Sequence, residues 1–138
     1  MHITLDNPQS APQPAGPYSE VARIDLGGGG ALLFLAGQVS LDEEGNVAGG
    51  DDMAAQSRIV LEAVQALLKA HGATLDHVVN IRTFLTDMSR LGEYAAVRRE
   101  FLTGTPPTST TVEVSGLFRP GALIEVEVVA AVPPAPAA

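Results

Sequence analysis

The period of apolar and polar positions changes along the chain, and the changes mark out a succession of strands and helices. Tyr18 to Leu26 alternates and predicts a strand. Four glycines, Gly27 to Gly30, then lead into the continuous apolar run Ala31-Leu32-Leu33-Phe34-Leu35, so the pair predicts a β-hairpin. A phosphate cradle would need a strand before the glycines and a helix after them, and here a strand follows. Asp42 to Asn46 is a polar turn without the closing bidentate glutamate of a calcium loop. Asp51 to Gly72 has helical spacing, with Met53, Val60, Val64 and Leu67 on one face. Asp51 or Asp52 supplies the cap, Arg58 and Glu62 an i,i+4 pair, Gly72 the stop, and His71 a cation favourable to the last turn.

His77 to Thr86 alternates again, with Val79, Ile81, Thr83 and Leu85 on one face and Val78, Asn80, Arg82 and Phe84 on the other. Ser89 to Leu102 is a second helix with Leu91, Tyr94, Val97 and Phe101 as its buried stripe, ended by Thr105-Pro106-Pro107. Ser109 to Val114 is a strand, Gly116 to Gly121 a loop, and Leu123 to Val132 the last strand, with Ile124, Val126, Val128, Ala130 and Val132 on one side. Residues 1–15 read as an irregular arm and 133–138 as a frayed Pro/Ala tail, so the 138 residues form a single domain.

The order β-β-α-β-α-β-β predicts an α+β fold with a mixed sheet and both helices on one face. Leu32 to Leu35 and Val128 to Ala131 nevertheless leave neither side of their strands polar. A sheet that is apolar on both faces needs a second cover. Another copy of the same chain is the simplest one, so a homo-oligomer is expected.

Charge narrows the partners. Sixteen acidic residues stand against eight basic ones, a net charge of -8, and Lys69 is the single lysine. Polyanion binding needs clustered Lys and Arg, and base stacking needs aromatics, which make up only 4% of the chain. A nucleic-acid partner is therefore not expected. The longest apolar run, Ala31 to Ala36, is too short to span a bilayer, and neither end resembles a signal peptide. A cytoplasmic protein without membrane attachment is expected. With no cysteine, disulfides and thiolate chemistry are excluded.

Little in the chain carries catalytic chemistry. His2, His71 and His77 lie outside any nucleophile-elbow pattern, and no His-x-x-x-His spacing suggests a metal. Glu125 and Glu127 stand out, two apart on one face of an apolar strand. Carboxylates there are either a solvated strip or a general acid/base with a pKa raised by burial.

An ordered set of motifs carries a resemblance. Gly16-Pro17-Tyr18-Ser19, Leu35-Ala36-Gly37-Gln38-Val39, the Asp51–Gly72 helix, Phe84-Leu85-Thr86-Asp87, Pro107 followed by Thr110 and Val112-Glu113-Val114, and Leu123-Ile124-Glu125-Val126-Glu127 occur in sequence. The chain resembles the Rid family, also called YjgF or L-PSP endoribonuclease, over about residues 15 to 132. The resemblance implies a chorismate-mutase-like fold and a homotrimer with small-molecule clefts between subunits, working without a cofactor. It implies hydrolysis of reactive imines or enamines with release of ammonia. It assigns Glu125 as the catalytic carboxylate, Tyr18 and Gly37 as cleft residues, and Leu91 as a wall.

The chain departs from that pattern at two positions, Ser109 and Ala36, and keeps the frequent cysteine or threonine at a third, Thr111. Ser109 stands where the imine-hydrolysing branch has its carboxylate-binding arginine, Ala36 where it has a pocket hydroxyl, and Thr111 two residues after the missing arginine. Loss of a bidentate charged contact costs an anionic substrate on the order of a few kcal/mol. The expected substrate is therefore not a standard anionic 2-imino acid, unless Arg82, Arg98 or Arg119 substitutes for the clamp. A non-catalytic binding trimer is the alternative. Ribonuclease activity, inherited from the family's older name, sits poorly with the acidic surface.

Overall fold

The structure, a computed structural model, describes residues 1–136. Its strands are β1 (His2–Asp6), β2 (Val21–Gly27), β3 (Gly30–Leu35), β4 (Gln38–Val39), β5 (Val78–Leu85), β6 (Thr108–Glu113) and β7 (Ile124–Val132), and its helices are α1 (Met53–Ala70) and α2 (Leu91–Phe101). All seven strands join one mixed sheet in the order β1-β2-β3-β7-β5-β6, with β4 also pairing β7. β5 and β6 are parallel, joined by a crossover through α2, and the other pairings are antiparallel. The Pro/Ala tail includes residues 137 and 138, which lie outside the described residues.

Both helices cover the same face. Val60, Val64 and Leu67 of α1 meet Leu33, Leu35, Ile81, Leu85, Ile124, Val126 and Val128 in one core. Each buried aliphatic contributes about 1.5–3 kcal/mol relative to exposure. Asp52 caps α1 by accepting from the Ala55 amide at 3.0 Å. The β2–β3 turn runs through Gly27, Gly28 and Gly29 at φ of +83°, +64° and +91°, a backbone region that side chains other than glycine's rarely adopt.

The structure corrects several expectations. The N-terminal arm is not irregular throughout: His2 to Asp6 pair with Val21 to Asp25 as an edge strand. β2 begins at Val21 and not Tyr18, and the short strand β4 was not foreseen. In β5 a register shift between Val78 and Asn80 turns Val79 outward, 45% exposed, and buries Val78. α2 starts at Leu91, after a 3-10 turn at Met88–Arg90 that Asp87 caps through the Ser89 amide. Leu91 is consequently 37% exposed, while Tyr94 and Val97 hold the buried stripe. Arg58 pairs with Glu100 at 2.6 Å, linking α1 to α2 instead of bonding Glu62. His71 meets Asp6 at 2.9 Å, which ties α1 to β1.

Candidate functional site

The site is built where β3, β4 and β7 converge. Register sets the faces. Ile124, Val126 and Val128 of β7 point toward the helices, so Glu125 and Glu127 point to the opposite, outer face, beside Phe84 and Arg82 of β5. Gly37, between β3 and β4, passes directly over Glu125. A Cβ at position 37 would lie 2.8 Å from the Glu125 Cδ and 3.0 Å from its Cγ, so only glycine leaves the carboxylate in place. Burial raises the Glu125 pKa above the ordinary 4.5, and the negative charge of Glu127 raises it further. Glu127 is itself offset by Arg82, 3.5 Å away.

On the far side of Gly37 and Gln38 lies a cavity of about 880 Å³. The N-terminal segment Gln9–Ala15, Tyr18, the Leu41–Gly45 turn, the α1 residues Ile59, Glu62, Ala63 and Ala66, and Phe118 with Arg119 enclose it. Glu20 lines it too, although its residue surface is only 2% exposed. Glu20 Oε1 accepts from Gln38 Nε2 at 3.3 Å. Burial pushes its pKa above 4.5, against the opposing effect of that hydrogen bond. The sequence reading missed Glu20, a carboxylate at the start of a strand whose partner is 18 positions away.

The expected site residues divide into two groups. Tyr18 and Gly37 line the cavity, and Glu125 packs against Gly37. Ala36 sits one residue away, its carbonyl accepting from Gln38 Nε2 at 3.1 Å. Leu91, Ser109 and Thr111 are not brought to Glu125 within one chain. Ser109 and Thr111 pair with Ile81 and Thr83, whose side chains face the helices. Ser109 Oγ accepts from Arg98 Nη1 at 3.0 Å, and Arg98 also lies 5.9 Å from the centre of the Tyr94 ring. Of the arginines considered as substitutes, Arg82 shares the face of Glu125, Arg98 is held at Ser109, and Arg119 lines the cavity.

No group of three His, Cys, Asp or Glu side chains converges to hold a metal among the described residues. Nor is any described helix long and apolar enough to cross a membrane.

Known proteins share the sequence pattern and the fold of this chain. The family model for endoribonuclease L-PSP matches residues 8–132. Protein DfrA of Myxococcus xanthus is 37% identical over 120 residues, covering 87% of this chain and 88% of that protein. The crystal structure of the Rid-family protein YyfA from Yersinia pestis superposes with a TM-score of 0.82 at 31% identity, covering 95% of this chain and all of that one. E. coli TdcF, solved with bound serine, gives a TM-score of 0.78 at 27% identity over 92% of this chain and 97% of its own.

Proposed function

Because the chain belongs to the endoribonuclease L-PSP family, also known as YjgF or Rid, we propose that it is a small-molecule hydrolase that converts a reactive imine or enamine to a carbonyl compound and ammonia. The observation that carries this reading is the Glu125 carboxylate held under Gly37, half-buried and with a raised pKa. Such a group holds a proton more readily than an ordinary carboxylate, which suits it to proton transfer. Glu125 takes a proton from water as the water oxygen bonds to the imine carbon. The proton passes to nitrogen to give a carbinolamine; Glu125 then carries the hydroxyl proton to the same nitrogen, the carbon–nitrogen bond breaks, and ammonia leaves as the carbonyl forms. An enamine enters the same route after protonation at carbon gives the imine.

The substrate we assign lacks a carboxylate: among the described residues of the chain, the arginine on the face of Glu125 is Arg82, and it lies 3.5 Å from Glu127. The outer face around Glu125 also carries Leu32, Phe34, Val129 and Ala131 beside the carboxylates. We assign this face to the contact between copies in a homotrimer, with the reaction clefts between subunits. The serine bound in TdcF supports a cleft sized for a small polar molecule.

Release of ammonia from freshly generated 2-imino acids and from neutral enamines tests the reading. Turnover of the neutral substrates by the wild type, lost in Glu125→Gln, is the expected result. A second reading, a binding trimer without catalysis, draws on Ser109, which a hydrogen bond to Arg98 occupies on the other side of the sheet. Silence of the wild type on both substrate classes, with activity appearing in Ser109→Arg, would replace the first reading by the second.

A further inference from the structure

The cavity beside Gly37 contains a carboxylate that the proposed hydrolysis does not use. Glu20 is 2% exposed and takes part in none of the ion pairs among the described residues. Its Oε1 has one neutral donor, Gln38 Nε2, and its Oε2 accepts from no described residue. Ser57 Oγ is the sole side-chain polar atom sealed from solvent without a partner among the described residues. Glu20 Oε2 is therefore reached from the cavity that Glu20 lines. A carboxylate withdrawn from water with a single neutral partner is undercompensated, and a cation from outside the chain would complete it.

The cavity's own cation does not do so. Arg119 donates from Nε to the Gly45 carbonyl at 3.2 Å and lies 5.1 Å from the Phe118 ring centre. Glu20, Asp42, Glu43, Glu44 and Glu62 give the lining five carboxylates against that one guanidinium. Gln9, Ser10, Gln13 and Gln38 add neutral polar groups, and part of the wall is apolar, formed by residues that include Ile59, Ala63 and Ala66. Tyr18 adds an aromatic ring to the lining. A metal ion needs several converging oxygen ligands, and no three such side chains converge among the described residues. An ammonium head with a short hydrocarbon tail matches both the single buried carboxylate and the apolar part of the wall.

We propose that this cavity is a binding site for a small primary organic ammonium, with Glu20 as the group that recognises the charge. Its charge-recognising group, Glu20, takes no part in the Glu125 chemistry, although Gly37 borders both. The probe is n-butylammonium at neutral pH, compared with 1-butanol and butyrate, titrated into the full chain by NMR or calorimetry. Saturable binding of n-butylammonium, with 1-butanol at least about tenfold weaker and butyrate weaker still, is the expected result. Glu20→Gln keeps the shape and should weaken the ammonium by about tenfold or more. Ala66→Phe narrows the cavity from the α1 wall and should weaken binding of all three probes. Glu125→Gln should leave n-butylammonium binding within about twofold, so this proposal and the hydrolase reading fail separately. Equal affinity for n-butylammonium and 1-butanol, or full ammonium affinity in a folded Glu20→Gln or Ala66→Phe protein, overturns the proposal.

Discussion

At the scale of single residues, the site depends on what Gly37 lacks. An added methyl would meet the end of a flexible side chain and not backbone, so the carboxylate would swing away and the fold would tolerate the change. Gly37→Ala should therefore reduce ammonia release by about tenfold or more while changing unfolding free energy by less than about 1 kcal/mol in urea titrations. Loss of stability and activity together would contradict that account. Glu127 makes a second prediction. Burial, then the charge of Glu127, raises the Glu125 pKa, so the midpoint for the active ionised form lies above 4.5. Glu127→Gln removes the second cause and should move the acidic limb of the pH–rate profile downward, with burial keeping the midpoint above 4.5. The same shift has a stability consequence. A carboxyl that holds its proton more tightly when folded stabilises the native state below pH 4.5, and that contribution is lost as pH rises through the raised value. Glu125→Gln should therefore flatten the decline of stability above pH 4.5. Glu125 was legible in the sequence because a strand of period two places it among apolar neighbours. Glu20 was not, since its burial comes from the N-terminal segment folding over it, beyond the reach of any local period.

At the scale of elements, side chains that bond backbone across long separations join the pieces. Gln56, fully buried on α1, donates to the carbonyls of Gly50 and Gly121 at 2.7 and 3.0 Å and accepts from the Leu123 amide at 2.9 Å. It thereby fastens the loop before α1 and the entry to β7 to one helix turn. Gln56→Leu would leave those three backbone groups without their partner, each at about 1–3 kcal/mol. A loss of at least about 3 kcal/mol in urea unfolding is expected, and a loss under 1 kcal/mol would mean that water replaces the side chain. The helical period of α1 was legible because its apolar face is continuous. Gln56 interrupts that face, so its role shows only once the loops are in place. The start of α2 was misread for a similar reason: Leu91 fits a helical stripe, but Asp87 caps a 3-10 turn first and rotates the stripe toward Tyr94 and Val97. Val79 was misplaced by a register shift, which alternation counted from one end does not reveal.

At the scale of the whole molecule, the unresolved demand is the outer face of the sheet. The apolar runs at Leu32–Leu35 and Val128–Ala131 already called for a second cover, and both helices lie on the other side. The strand order that puts β7 at the centre, with β5 and β6 parallel beside it, was not legible, because it depends on pairings far apart in sequence. Phe34, 42% exposed and paired with Val129, sits on that outer face. A charge there would be solvated in an isolated chain and buried in an assembly. Wild-type protein should therefore run as a homo-oligomer in light scattering, and Phe34→Asp as a monomer with unchanged circular dichroism. A monomeric wild type, or an unchanged mass for Phe34→Asp, would remove the outer face as the contact. The hydrolysis assay on the dispersed variant then separates two architectures. Lost activity in a folded monomer means that the Glu125 cleft is completed by a neighbouring copy. Retained activity means that one chain, with Gly37 over Glu125, is sufficient for the chemistry.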